Sequence, residues 1–310
     1  MSSMTKKLFI LGIGGLTGSK LAILAKNDFE VYGSYNLRNP KLDFVISFKL
    51  DITDKSKTKE ILSSIRPEII LNACALNNVD YCESHKEESK KINIDAVEGM
   101  IKISDMIGSK FIHLSSDSVF DGTKKTPYAE KDVPKPINVY GYTKMIGEKL
   151  ALKNSQNLVV RASVLYGWLP KTLSYLSSSS MKPTNFVQWL ITKLRSKEEI
   201  KIITDEYSSP IIADDFARSI LHLSRGNYSG IFHSAPNIQI NRYDFSIRLA
   251  KFLNLDWNLI QPTTNKELGR NVTTGINKCL DSSKIINETK FKFLSLEESF
   301  DLLKNQISDS

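Results

Sequence analysis

Leu8-Phe9-Ile10-Leu11-Gly12-Ile13-Gly14-Gly15-Leu16-Thr17-Gly18 is the stretch on which the fold turns. Its apolar half, Leu8–Ile13, predicts a buried strand. It is far shorter than the roughly 20 apolar residues a membrane span needs, and it runs into glycines without a small-residue cleavage pattern. An apolar stretch, Ser19–Lys26, follows at once and predicts a helix. Strand, glycine turn and helix in that order form a phosphate cradle. Gly12 permits the tight turn, Gly15 lets the backbone approach a pyrophosphate, and Gly18 lets the helix pack on the sheet. Leu16 and Thr17 then bring the amides of the helix start to the anion.

Outward from this unit, short apolar runs recur at Glu30–Ser34, Ile69–Ala73, Phe111–Ser115 and Leu158–Arg161. Amphipathic stretches at Ser56–Ile65, Ile92–Ile107 and Val139–Leu152 alternate with them. The alternation predicts an α/β fold, a Rossmann-type doubly wound parallel sheet. A helix at Asp214–Ser224 and a strand at Gly230–Ser234 return the chain to that sheet. The expected division is a dinucleotide-binding domain over residues 1–167, with 212–236 returning to it. Residues 168–211 and 237–310 then form a smaller C-terminal α/β substrate lobe. Between Trp168 and Pro183 a Pro- and Ser-rich stretch fits no periodic template and reads as a mobile loop that orders over bound ligand.

Composition narrows the class. Of 310 residues, 41% are hydrophobic and 25% charged, which excludes a disordered or fibrous chain. The formal charge of +8 comes from lysines scattered over solvated faces rather than from a basic run, so no nucleic-acid partner is expected. The cysteines Cys74, Cys82 and Cys279 match neither a zinc spacing nor a disulfide framework and fit a reducing compartment. With no membrane association expected, the cytoplasm is the default.

At the end of the second strand, Ser34-Tyr35-Asn36-Leu37-Arg38 carries no acidic residue to grip a ribose hydroxyl pair. Asn36 and Arg38 suit a 2′-phosphate instead, so NADP(H) is expected to be preferred over NAD(H). Asp51 and Ile52 follow the third strand, and Ala73, Cys74 and Ala75 close the fourth, leaving room for adenine and ribose. Tyr140 and Lys144 lie four residues apart on one helix face. Ser116 ends the fifth strand, at the carboxyl edge where such sheets bind ligands.

In these segments the chain resembles the extended short-chain dehydrogenase/reductase superfamily and, within it, the dTDP-4-dehydrorhamnose reductase family, over nearly its whole length. The resemblance rests on His113-Leu114-Ser115-Ser116-Asp117-Ser118-Val119-Phe120-Asp121-Gly122 and on Pro136-Ile137-Asn138-Val139-Tyr140-Gly141-Tyr142-Thr143-Lys144 with Gly147-Glu148-Lys149. It extends to Arg161, Tyr166-Gly167, Asn185-Phe186-Val187, Pro210, Asp214-Asp215 and Leu280-Asp281. It implies Ser116, Tyr140 and Lys144 as the catalytic triad, Tyr140 and Lys144 also contacting the cofactor, and Ser116, Asp117 and Arg270 on the substrate. Lys144, helped by an oxidised nicotinamide, is expected to pull the Tyr140 phenol down from its ordinary pKa near 10.

The chain departs from the family in three places. Ser118 stands where the family usually has Tyr. Lys20 occupies the position at which some bacterial members carry a carboxylate that helps bind an intersubunit metal, so no metal is expected. Gly269-Arg270-Asn271 lacks the family's proline. The resemblance implies NADPH-dependent reduction of a nucleotide-linked 4-keto-6-deoxysugar, dTDP-4-dehydro-L-rhamnose to dTDP-L-rhamnose, and allows a homodimer. Two other readings stay open: an NADP-binding regulatory subunit resembling methionine adenosyltransferase beta, and a sugar-nucleotide epimerase.

Overall fold

A computed structural model describes residues 5–169, 185–269 and 275–308. Arg270, and the stretch from Trp168 to Pro183 beyond Leu169, lie outside the described residues. The centre is a parallel sheet of seven strands: β1 (Lys7–Leu11), β2 (Glu30–Tyr35), β3 (Ile46–Lys49), β4 (Ile69–Asn72), β5 (Lys110–Ser116), β6 (Leu158–Ala162) and β7 (Gly230–Ser234). Their spatial order is β7-β6-β5-β4-β1-β2-β3, so the chain reverses direction between β1 and β4, as a doubly wound sheet requires. The central strands are apolar on both faces because helices cover both, while the edge strand β3 leaves Ile46 and Lys49 exposed. In β1, Leu8 and Ile10 join one core with α1 (Leu16–Ala25), while Phe9 and Leu11 join the opposite core with α2 (Lys55–Ile65).

The glycine unit folds more tightly than its sequence reading. β1 ends at Leu11, and α1 begins at Leu16, three residues earlier than expected, with Gly15 as its N-cap. Gly12 has φ +90°, and a Cβ on Gly18 would sit 2.1 Å from the Gly12 carbonyl oxygen. Only glycine at 18 lets the helix start directly over the turn.

The expected helix over 92–107 is two structures. A π-helical turn, Lys91–Asp95, leads into an α-helix, and two short helices precede it, α3 (Val79–Ser84) and Lys86–Lys90. The α-helical part is α4 (Ala96–Ile107). The π turn brings Asn93 inward, where its Nδ2 donates to Thr143 Oγ1 at 3.0 Å and its Oδ1 accepts from the Leu76 N–H at 2.9 Å. The next helix, α5 (Val139–Ala151), spans its expected range to within a residue, and α6 (Ala213–Arg225) packs against α1. Beyond the sheet, helices Phe186–Arg195, Arg242–Phe252 and Leu296–Ser308 share a separate apolar core with the parallel strand pair Ile200–Ile203 and Ile260–Thr263.

A buried polar network ties α5, β6 and β7 together. Arg161 grips Glu148 with two bonds, Nε to Oε1 at 2.8 Å and Nη2 to Oε2 at 2.7 Å, and its guanidinium lies 5.0 Å from the Phe120 ring centroid. Arg161 Nη1 also lies 3.2 Å from His233 Nε2, and His233 Nδ1 lies 3.1 Å from the Asp281 carbonyl oxygen. A carbonyl only accepts and a guanidinium only donates, so the network assigns a neutral ring protonated at Nδ1. Burial, then the Arg161 charge, pushes the His233 pKa from 6.5 down to about 3. Burial and the Lys144 charge likewise hold His113 well below its ordinary value.

For both histidines the unfolded chain takes up a proton before the folded protein does, so their contribution to stability is complete above the unfolded value and is lost as the pH falls. The thermal midpoint should therefore hold above pH 6.5 and decline toward pH 3. The upper part of that window lies above the carboxylate range and reports the histidines. Scanning calorimetry across the window checks this, and a midpoint that stays level there contradicts it.

Candidate active site

Helix α5 rides unusually close to the carboxyl end of β5. A Cβ on Gly141 would lie 2.0 Å from the Ser118 carbonyl oxygen, and one on Gly147 would lie 2.8 Å from His113 Nε2. The N-cap is Asn138, whose Oδ1 accepts from the Gly141 N–H at 2.8 Å. Tyr140 and Lys144, one helical turn apart, are thereby set against the strand end. The Ser116 side chain, at the end of β5, lies close enough to the Tyr140 hydroxyl to lower its pKa against the effect of burial. Lys144 is 3% exposed.

Asp117 is buried behind this pair, and serine hydroxyls surround it. Ser116 Oγ and Ser118 Oγ donate to its Oδ1 at 3.1 and 3.3 Å, and Ser163 Oγ donates to its Oδ2 at 2.9 Å. Ser163 Oγ in turn accepts from the Ser209 N–H at 3.1 Å. Ser163 is absent from the residues singled out in the sequence. Its signal is its place just past the end of β6, on the same carboxyl edge as Ser116. Ser118 is buried and spends its hydroxyl on Asp117.

The Tyr140 phenol lies well above its ordinary pKa, chiefly because burial disfavours the phenolate and also because the Asp117 charge opposes it; the Ser116 bond acts the other way. Burial is the dominant influence on the phenol in the protein alone. It also brings Lys144 down to about 8, against the raising influence of Glu148 and Cys74. Near neutrality the site holds a protonated phenol beside a lysine that is mostly an ammonium.

The glycine loop lies on the same edge. The Gly12 and Ile13 N–H groups donate to the Ser34 carbonyl at 2.9 Å each, joining the loop to the end of β2. A Cβ on Gly12 would meet Cys74 Sγ at 2.8 Å, so the end of β4 supports the loop from below. Burial pushes the Cys74 thiol up to about 12, with the Lys144 charge opposing that shift, so loop, β4 end and α5 converge. Ala73 flanks Cys74 and is partly exposed, Ala75 is exposed, and Ile52 is buried beside an exposed Asp51. Arg38 packs its backbone on the loop, its carbonyl oxygen 2.4 Å from where a Gly14 Cβ would be, and partial burial lowers its pKa. Asn36 is exposed nearby. At the head of α1, Leu16 and Thr17 are partly exposed, and no side chain caps the first turn. Its N–H groups lack a side-chain acceptor and face the open glycine turn, which suits a phosphate.

Lys20 forms an ion pair with Asp214 of α6 at 3.1 Å. Among the described residues no cluster of three or more His, Cys, Asp or Glu side chains is placed to hold a metal, and no helix is long and apolar enough to cross a membrane. A cavity of about 620 Å³ opens between the start of α6 and the C-terminal region, lined by Tyr166, Ile212, Asp215, Ile238 and Leu296 among others. None of Ser116, Tyr140 and Lys144 lines it. The chemistry is therefore located by the convergence of these side chains, not by cavity size.

The chain matches the family described as RmlD substrate binding domain over residues 6–307. It is 30% identical over 97% of its length, and 98% of the relative's, to a Haloferax volcanii protein named "Probable low-salt glycan biosynthesis reductase Agl14". It is 29% identical to the methionine adenosyltransferase 2 subunit beta of Xenopus laevis, over 91% of this chain and 82% of that one. The crystal structure of a dTDP-4-dehydrorhamnose reductase from Bacillus anthracis in complex with NADP superimposes with a TM-score of 0.84 at 25% identity, covering 97% of this chain and 99% of that one. With the parallel sheet, the glycine cradle and the serine, tyrosine and lysine at its edge, the chain belongs to the family of the dTDP-4-dehydrorhamnose reductases, NAD(P)-dependent oxidoreductases.

Proposed function

We propose that the protein reduces the keto group of a nucleotide-linked 4-keto-6-deoxysugar with NADPH, converting dTDP-4-dehydro-L-rhamnose to dTDP-L-rhamnose. The observation that carries this reading is the close packing of the first turns of α5, which bear Tyr140 and Lys144, on the strand end that bears Ser116, at the sheet edge that also bears the glycine loop. Residues 1–167 with 212–236 hold the cofactor in this reading, and 168–211 with 237–310 hold the sugar nucleotide.

NADPH, when bound, supplies the hydride. Ser116 orients the carbonyl oxygen by donating to it, and Tyr140 gives that oxygen its proton as carbon takes the hydride. Ketone, hydride and one proton account for the alcohol. A phenol raised by burial is fully protonated before turnover, as a proton donor must be. Lys144, nearby and mostly cationic, stabilises the phenolate left behind. Ser118 has no carboxylate with which to drive an elimination from the sugar, which favours reduction over dehydration. Arg38 and Asn36, at the end of β2, are the groups offered to a 2′-phosphate.

The relation to methionine adenosyltransferase 2 subunit beta supports a second reading, a regulatory NADP-binding subunit. Spectrophotometry separates the two. Oxidation of NADPH with at least one dTDP-linked 4-keto sugar, and a fall in turnover of about 100-fold in Tyr140→Phe with cofactor affinity nearly intact, is expected of the enzyme. A panel that gives no oxidation, or Tyr140→Phe with unchanged turnover, removes the assignment.

Titration should show NADPH binding more tightly than NADH, and Arg38→Ala should weaken NADPH by about 10-fold or more while sparing NADH, the scale of losing a bond to a charged group. Equal affinities in the unmutated protein would exclude Arg38 from the role. Gly141→Ala forces a methyl into the Ser118 carbonyl. It should cost about 1–3 kcal/mol of stability and depress kcat more than cofactor binding, read from paired melting and kinetic measurements.

A further inference from the structure

The first turn of α5 is held at a third point, from outside its own segment. Of the N–H groups left free at a helix start, that of Gly141 goes to the Asn138 cap. The N–H of Val139, the residue immediately before Tyr140, donates instead to Glu83 Oε1 at 2.6 Å, across 56 residues of chain. Glu83 belongs to α3, which packs against α5, and its neighbouring residue Cys82 is buried. Helix α3 therefore packs on α5, and the Glu83 bond to the α5 backbone falls next to Tyr140. A carboxylate is well suited there, since the positive end of the helix dipole favours it and a bond to an anion is short and strong.

We propose that Glu83 is a positioning residue for Tyr140: by gripping the Val139 N–H it fixes the first turn of α5 and so the placement of the phenol against Ser116. The Asn138 cap and the Gly141 contact hold the same turn to its own segment and to the end of β5, and the Glu83 bond ties its backbone to α3 as well. Reach, rather than charge, is what this role requires. The inference rests on the assignment of Tyr140 as proton donor, and misplacement of a reacting group by about 1 Å can cost on the order of 100-fold in rate.

Three variants and two readouts test it. Glu83→Gln keeps the length of the side chain and an oxygen that accepts from Val139. Glu83→Asp keeps the charge and loses a methylene of reach. Glu83→Ala loses both. With NADPH and the best 4-keto sugar of the panel, Gln should stay within about 3-fold of wild-type kcat, and Asp and Ala should fall by about 10-fold or more, KM for NADPH changing little. Hydrogen exchange over residues 138–142 should quicken in Asp and Ala and not in Gln. Wild-type kcat in Asp, impairment in Gln equal to that in Ala, or unchanged exchange in all three would overturn the proposal. If the wild-type protein oxidises no NADPH, the reductase reading fails while the exchange experiment still decides whether Glu83 holds the turn. Should Ala not fold, the contrast between Gln and Asp carries the same decision.

Discussion

The structure depends most on the closeness of α5 to β5. At Gly141 the helix backbone comes so near the Ser118 carbonyl that a single methyl would overlap it, and at Gly147 it rests on the His113 ring. Both contacts serve one end. A helix kept at ordinary distance from a sheet would carry Tyr140 and Lys144 away from the strand end, and Ser116 would face solvent alone. The missing side chains set the interaxial distance, the distance sets the meeting of phenol and hydroxyl, and that meeting is what proton donation needs. Stability is given up in the process, because glycine inside a helix costs about 1 kcal/mol relative to alanine.

Burial of charge is the second constraint. Glu148 and Arg161 are almost wholly removed from water, an arrangement that stabilises little on balance but becomes costly if either partner is lost, by about 3–5 kcal/mol. The pair is extended by a neutral His233 to the Asp281 carbonyl, so α5, β6, β7 and the segment after residue 275 are fixed relative to one another. Asp117 solves the same problem without a cation in the described bonds, through hydroxyls of Ser116, Ser118 and Ser163. Its charge also keeps Tyr140 protonated.

Periodicity made the sheet legible. Parallel strands covered on both faces read as continuous apolar runs, and the run at Gly230–Ser234 falls on β7 to the residue. Helix starts were less legible: α1 begins inside the glycine motif because Gly18 permits contact with Gly12, a tertiary fact no window average contains. Helix α3 is six residues long, too short for amphipathic periodicity to announce. The π turn is set by the inward bonds of Asn93. Of the site, the serine, tyrosine and lysine were readable from their places at a strand end and on one helix face. Ser163 and Glu83 were not, since each acts through a partner 46 or 56 residues away.

The acidity of Tyr140 shows why reading charge from sequence alone misleads. Placing Lys144 one turn away predicts a phenol that ionises easily, since in water an adjacent cation is the larger effect. In the folded chain the same packing that brings the two together buries Lys144 and half-buries Tyr140, and desolvation acts on them in opposite directions. The phenol is pushed up and the ammonium down to about 8. Each shift favours the less charged form. A site with this balance avoids carrying a phenolate before substrates arrive, and it retains a proton on the oxygen proposed to deliver one. Any downward pull from an oxidised nicotinamide would arise only with the bound cofactor and as hydride leaves it, which in the proposed reaction is when the proton is given up.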